Sequence, residues 1–201
     1  MLRGIDNIPV EMNEICDASR KKNCSVMWIG KDHPQRKELE RFIAENYKKM
    51  HQAEISYFAD NLFGCHDGEQ FMASLGITFL VDRHHGFIEE YLDEPAEQAI
   101  AKIYKQPIAR EQIVELGNLS SVVPGSTRRV IEKISPELKK RNVNWAIFAI
   151  NVPVLNAFHK AGLEPKFICE AKHAKLKDQK TNWGSYYETK PGVYCIEVPS
   201  T

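Results

Sequence analysis

The stretch Arg110-Glu-Gln-Ile-Val-Glu-Leu-Gly-Asn-Leu-Ser120, continuing as Ser120-Ser-Val-Val-Pro-Gly-Ser-Thr-Arg128, reads as a β-strand that runs into a Gly-containing turn. Behind it, Val130, Ile131, Ile134 and Leu138 recur at helical spacing, Asn142 to Asn144 turns the chain, and Trp145-Ala-Ile-Phe-Ala-Ile150 is a strand-sized apolar run. Asn151 can cap a second helix with the apolar face Val154, Leu155, Phe158 and Ala161, and Gly162 supplies its left-handed stop. This is the order of a phosphate-cradling βαβ unit. Strand alternation puts Ile113, Glu115, Gly117 and Leu119 on one face and Val114, Leu116 and Asn118 on the other, so a carboxylate stands in an apolar row.

A turn between a strand end and a helix start gathers free backbone N–H groups and the positive end of the helix at one point. A phosphate fits there, with hydroxyls from Ser126 and Thr127 and charge from Arg128 and Arg129; an ordinary capped helix after a tight turn explains the same residues. Glu115 is the candidate general base, because desolvation on a half-buried strand raises a carboxyl pKa towards the range where it accepts a proton from an amine. A structural ion pair with Arg110 or another base is the competing use.

Working outward, Leu39, Phe42, Ile43, Tyr47 and Met50 predict an amphipathic helix after Pro34. Ile55, Phe58, Ala59 and Leu62 predict continued helix to Gly64, His66-Asp-Gly-Glu69 a turn, and Gln70 to about Val81 strands. The acidic run Glu89-Glu-Tyr-Leu-Asp-Glu-Pro95 precedes Ala96, Ala99, Ile100 and Ile103, the mark of a helix start with carboxylates at its positive end. Phe167 to Ala171 and Val193 to Val198 are the last strands, joined by a Lys-rich loop holding Trp183-Gly-Ser-Tyr-Tyr187. Lys172, Lys175, Lys177 and Lys180 in that loop could attract an acidic carrier protein or be a solvated surface. We read one domain, 1–201: an irregular lead-in over 1–31, N-terminal helices and strands over 34–105, and the half from 110 to 201.

With 201 residues, 43% of them hydrophobic, the chain can bury a core by itself. Its 27 basic and 27 acidic residues balance, which gives no support to a nucleic-acid or membrane-surface binder. Their distribution is uneven. Met1 to Gly125 carries 14 basic and 20 acidic residues, Ser126 to Lys190 13 and 6, so the later segment prefers an anion. Cys16, Cys24, Cys65, Cys169 and Cys195 show no C-x-x-C pair and no secretory leader is legible, so reduced thiols and a cytoplasmic location are expected. No apolar run approaches the roughly 20 residues of a spanning helix. Cys65-His66 and His84-His85 do not make a tetrahedral set, so no metal is expected.

The order strand, phosphate turn, helix, strand, Asn151-started helix and Gly162-Leu163-Glu-Pro165 resembles the GNAT acyltransferase fold. From Tyr91-Leu-Asp-Glu-Pro95 through Ile113-Val-Glu-Leu-Gly-Asn-Leu119 to Trp183-Gly-Ser-Tyr-Tyr187, about Phe87 to Val198, the chain is similar to the bacterial thermostable hemolysin family. A fainter likeness to acyl-homoserine lactone synthases rests on the Glu-containing strand. The resemblance implies an α/β (α+β) fold: a GNAT-like mixed, mostly antiparallel central sheet with splayed central strands and flanking helices. It implies a thioester donor, acyl-CoA or acyl-carrier protein, bound as a co-substrate with no tightly held cofactor, and a small amine acceptor. The donor's phosphopantetheine arm would lie beside Arg110 to Ser120, its phosphate at Gly125 to Arg128, and Leu119 to Ser121 would supply amides to the thioester carbonyl. Asn151 and Asn156 match Asn positions near the pantetheine, although capping explains Asn151 and solvation Asn156.

Two departures matter. Aligned on Gly125, Val122, Val123 and Thr127 replace residues of the superfamily's Gln/Arg-Gly-x-Gly-x-Gly/Ala turn, and Phe158 stands where many members keep an acidic Tyr. His159, Tyr186 and Tyr187 are the replacement acids, unless the Tyr pair packs a hydrophobic corner. The expected function is acyl transfer from the thioester to an amine. The alternatives are a membrane-active hemolysin and a non-catalytic acyl-thioester-binding module, and a homodimer is among the assemblies the chain allows. No nucleic-acid partner is expected.

Overall fold

The computed structural model describes residues 25–123, 125–178 and 180–199, so all but the end of the expected lead-in lies outside the described residues. In chain order the strands are β1 (Ser25–Ile29), β2 (Asn61–His66), β3 (Phe71–Phe79), β4 (Ile113–Ser121), β5 (Trp145–Ile150), β6 (Lys166–Glu170) and β7 (Gly192–Glu197). The helices are α1 (Arg36–His51), α2 (Ala96–Tyr104), α3 (Ser126–Lys139) and α4 (Val152–Lys160). One seven-stranded sheet runs β1-β2-β3-β4-β5-β7-β6. Every neighbouring pair is antiparallel except β4 and β5, which α3 connects in the parallel sense.

The sheet is covered on both faces. Val130, Ile131, Ile134 and Leu138 of α3, with Phe158 of α4, pack on Leu75, Val114, Leu116, Ala146 and Phe148. On the opposite face Leu39 and Ile43 of α1 pack on Ile29, Leu62 and Phe71, while Ile100 of α2 and Tyr91 pack on Ile113, Trp145 and Ile147. Alternating strand residues feed these opposite layers, as a two-sided core requires.

The central pair determines the site. β4 and β5 pair only from Ile113 opposite Trp145 to Leu116 opposite Phe148. Beyond that point β4 stays with β3, as far as Ser121 opposite Ala73, and β5 stays with β7, as far as Ile150 opposite Gly192. The sheet therefore parts beside Gly117 and Ala149. This is the splay that the resemblance implied.

Three expectations fail. Residues 52–60 are not helical and Asn61–His66 is strand β2; the 55, 58, 59, 62 spacing fits a helix, but the hairpin formed with β3 pairs this backbone instead. The hairpin turn is held by Asp67 Oδ1, which accepts from the amides of Glu69 and Gln70. β4 begins at Ile113 rather than Arg110, and its alternation breaks at a bulge, where Asn118 takes a φ of 44° and one extra residue enters opposite Ser74–Gly76. Leu119 consequently shares the face of Leu116, opposite to that of Glu115. Finally, Cys65 is disulfide-bonded while Cys169 and Cys195 are free thiols, which corrects the reading of five reduced cysteines; Cys16 and Cys24 lie outside the described residues. Spacing along a chain does not report which thiols meet in space.

Candidate active site

Two cavities open from the parted strands. The larger, about 660 Å³, runs between the β4–α3 turn and the start of α4. Leu119, Ser121, Gly125, Thr127 and Arg128 line one side, and Asn151 and Asn156 the other. Of the residues expected at the phosphate, Arg129 and Ser126 do not line the cavity; the Ser126 hydroxyl is buried and bonds the carbonyls of Val123 (2.6 Å) and Met72 (3.2 Å) and the Ser121 hydroxyl (2.8 Å). Gly125 takes φ 84° at the N-cap, a conformation that L side chains resist, and so starts α3 beside the cavity, with the Ser126 amide bonded to the Val123 carbonyl at 3.1 Å. Arg128 is half-exposed and bonded to Glu132 at 2.7 Å. Asn151 caps α4, accepting from the Val154 amide at 3.3 Å, while its residue also lines the cavity.

The second cavity, about 350 Å³, holds Glu115, Gly117, Asn118, Tyr57 and Trp183. Tyr47, Ala149 and Tyr186 line both cavities, so the two meet where the sheet parts. Asn118 fixes that edge by accepting from the Ala59 amide at 2.8 Å and donating to the Tyr57 carbonyl at 3.2 Å. Asn46 of α1 donates to the Ser120 hydroxyl and to the Ser121 carbonyl, which ties the helix to the end of β4.

Glu115 is 6% exposed, and its Oε2 accepts the Ile88 amide at 3.0 Å. Burial pushes its carboxyl up to about 7, reinforced by the charge of Glu89 and opposed by the amides of Ile88 and Phe87 and by Arg83. Arg110 is not its partner. That guanidinium binds Glu89 at 2.6 and 2.9 Å and Glu97 at 2.8 Å. Glu89 also accepts the amides of Gly86 (2.6 Å) and Ala96 (2.8 Å), and although burial alone would raise its carboxyl, these bonds pull it down to about 2. The acidic run thus caps α2, as its position before Pro95 suggested.

The candidate acids are separated by the fold. Tyr187 bonds Tyr91 hydroxyl to hydroxyl at 2.6 Å, burial pushes its phenol up to about 12, and it lines neither cavity. His159 is exposed on α4, 3.8 Å from Glu164, and lines neither cavity. Phe158 is a core ring stacked on Phe148 at 4.7 Å. Tyr186, by contrast, stands at the junction with its hydroxyl 3.3 Å from the Ala149 carbonyl, and burial raises its pKa well above 10. Sequence reasoning named Tyr186 but could not tell it from its neighbour. It gave no role to Tyr57, and Asn46 was legible only as the next step of the helical stripe 36, 39, 43.

The sequence profile described as Thermostable hemolysin matches residues 29–201. No curated protein sequence matches the chain. Among solved structures, FeeM, an N-acyl amino acid synthase from uncultured soil microbes, is 14% identical with a TM-score of 0.59, over 89% of this chain and 93% of its own. MesI, a CoA-dependent acyl-homoserine lactone synthase, is 12% identical with a TM-score of 0.54, over 87% and 89%. An N-acetyltransferase from Staphylococcus aureus Mu50 is 11% identical with a TM-score of 0.51, over 87% and 97%. The chain has the GNAT-like acyltransferase fold. Among the described residues no helix is long and apolar enough to cross a membrane.

Proposed function

The chain belongs to the thermostable hemolysin family, and we propose that it is an N-acyltransferase that moves an acyl group from acyl-CoA or acyl-carrier protein to an amine. The observation that carries this reading is the meeting of two cavities at the parted sheet, one walled by a helix N-terminus and the other by a buried carboxylate. The donor's phosphopantetheine arm lies in the larger cavity, with phosphate at the amides of Thr127 and Arg128 and the Thr127 hydroxyl, and with Asn151 and Asn156 along the arm. Its thioester reaches the Ala149 junction. There the free edge of β4 around Leu119 to Ser121 offers amide donors to the carbonyl oxygen as it becomes an oxyanion.

The amine enters from the second cavity and attacks the carbonyl carbon. A C–N bond forms, the C–S bond breaks, Glu115 takes the amine's proton directly or through water, and the departing thiolate receives a proton from Tyr186. A carboxyl held at about 7 suits the first role. A phenol that keeps its proton and lines both cavities suits the second, so we assign Tyr186 in preference to Tyr187 or His159. The neighbours described as an N-acyl amino acid synthase, a CoA-dependent synthase and an N-acetyltransferase support transfer to nitrogen. Donors of this class are cytoplasmic, which supports that location, and the bonded Cys65 counts against it.

The test is incubation of purified protein with acyl-CoA or acyl-carrier protein and an amine panel, with amide followed by mass spectrometry and thiol by colour. Amide formation lost in Glu115→Gln supports the proposal. Absence of binding to either donor, or equal turnover in Glu115→Gln, defeats it. Dye release from liposomes without any thioester would favour direct lysis instead.

A further inference from the structure

The walls of the Glu115 cavity limit what the acceptor can carry besides its reacting nitrogen. Its described lining includes three carboxylates, Glu90, Glu115 and Asp178, and no lysine or arginine; His85 is its one basic side chain. Nearby cations stand outside the lining: Arg83 is paired with Asp60 and Lys175 with Asp93 (2.7 Å) and the Tyr91 carbonyl (2.9 Å), while the charge of Arg83 still reaches Glu115 and that of Lys180 reaches Asp178. One wall is a row of rings. Tyr57 stacks on Phe87 with centroids 6.1 Å apart, Phe87 lies 6.0 Å from Trp183, and Trp183 lies 5.7 Å from Tyr186.

An acceptor with its own carboxylate would bring a further negative charge among these groups with no lysine or arginine to meet it, a costly arrangement in a partly desolvated site. A second cationic centre meets the reverse conditions, because ring faces attract cations and the surrounding carboxylates add to that attraction. The volume, about 350 Å³, is that of a small-molecule site.

The geometry points to a linear di- or polyamine as the acceptor, one nitrogen at Glu115 and the other positive end against the Tyr57–Phe87–Trp183 row beside Glu90 and Asp178. This rests on the N-acyl transfer proposed above. The far nitrogen keeps its charge while the near one forms the C–N bond, the C–S bond breaks and the thiol leaves. The product is an acylated amine that remains cationic, and with a long-chain donor it is a single-chain cationic amphiphile. The acceptor named for the structural neighbour FeeM, an amino acid, is the opposite charge type at its far end.

Three acceptors of matched length decide it: 1,4-diaminobutane, butylamine and 4-aminobutyrate, whose far ends are positive, absent and negative. With acyl-CoA or acyl-carrier protein as donor, kcat/KM is expected to fall in that order, the diamine leading butylamine by about tenfold. Glu90→Gln and Asp178→Asn should each cut the diamine-to-butylamine ratio by about threefold. Acylation of 4-aminobutyrate as fast as the diamine overturns the inference and leaves N-acyl transfer standing. If the donor binds but no amine is acylated, the transfer reading falls, and calorimetric titration of the same molecules decides the cavity: tighter binding of 1,4-diaminobutane than of 4-aminobutyrate upholds it, and equal or reversed affinity overturns it.

Discussion

Replacing Glu115 with Gln should make the protein more stable and catalytically inert, and the gain should grow as pH rises from about 4.5 to about 7. The carboxyl titrates near 4.5 in an unfolded chain and at about 7 in the folded one, so between those values the folded state holds a proton that the unfolded state has released. Stability is then greatest below about 4.5, declines as pH rises through this window, and levels off above 7; the span is about 3 kcal/mol. Gln carries no charge and retains an oxygen for the Ile88 amide. We expect Glu115→Gln to exceed wild type by about 3 kcal/mol at pH 8 and to match it within about 0.5 kcal/mol at pH 4. Urea unfolding of both proteins at the two pH values measures this, because titrations not coupled to residue 115 cancel in the difference. In the wild type, kcat/KM calculated on the unprotonated fraction of a weakly basic acceptor such as hydroxylamine should rise tenfold per pH unit up to about 7 and then flatten. Identical pH dependence of stability in the two proteins would refute the claim that a desolvated carboxylate sits at residue 115.

A Cβ added at Gly86 would lie 2.7 Å from Glu115 Oε2 and 2.8 Å from Leu80 Cδ2, so Gly86→Ala should cost about 1–3 kcal/mol by urea unfolding and displace the pH–rate midpoint. Tyr186→Phe should lower kcat by about 10²-fold with circular dichroism unchanged, whereas Tyr187→Phe should stay within about threefold, as measured by thiol release. Arg128→Gln should raise KM for the acyl donor by about threefold without changing kcat, since the side chain is half-exposed and already paired with Glu132. Glu89→Gln should destabilise by about 3–5 kcal/mol, because it leaves Arg110 with a lost partner. Below pH 4.5 that loss should shrink as the wild-type carboxyl, held at about 2, approaches protonation.

The βαβ unit was legible because each of its signals is local: the stripe Val130, Ile131, Ile134 and Leu138, the apolar run Trp145–Ile150, and an Asn and a Gly at the ends of α4. The bulge was not, since Asn118 reads as one more alternating residue until the Ala59 and Tyr57 backbones supply its bonds from 59 and 61 positions away. Non-local pairing also explains the missed β2, whose residues satisfy a helical period as well as a strand. The same limit applied to Tyr186 and Tyr187. Adjacent in sequence and identical in type, they separate only because Tyr91 claims one hydroxyl and the Ala149 carbonyl the other.

Two carboxylates flank Gly86, and the difference between them follows from where a single arginine is spent. A Cβ at Gly86 would be 2.7 Å from the Glu115 carboxylate and 3.5 Å from that of Glu89, so both groups share one neighbourhood. Both are nearly inaccessible, at 6% and 4% exposure, so burial alone cannot make one strongly acidic and the other titrate at about 7. Arg110 makes the distinction by binding Glu89 in a two-nitrogen fork, with the Gly86 and Ala96 amides completing that carboxylate's bonds. Glu115 receives only backbone amides, and the fixed charge of Glu89 pushes its proton affinity further up. The pair Arg110–Glu89 therefore stabilises the loop that lines the cavity and, through that commitment, leaves the neighbouring base without a hydrogen-bonded cation. Had Arg110 reached Glu115 instead, the carboxylate would be more stable, more acidic and unable to take a proton from an amine near neutral pH.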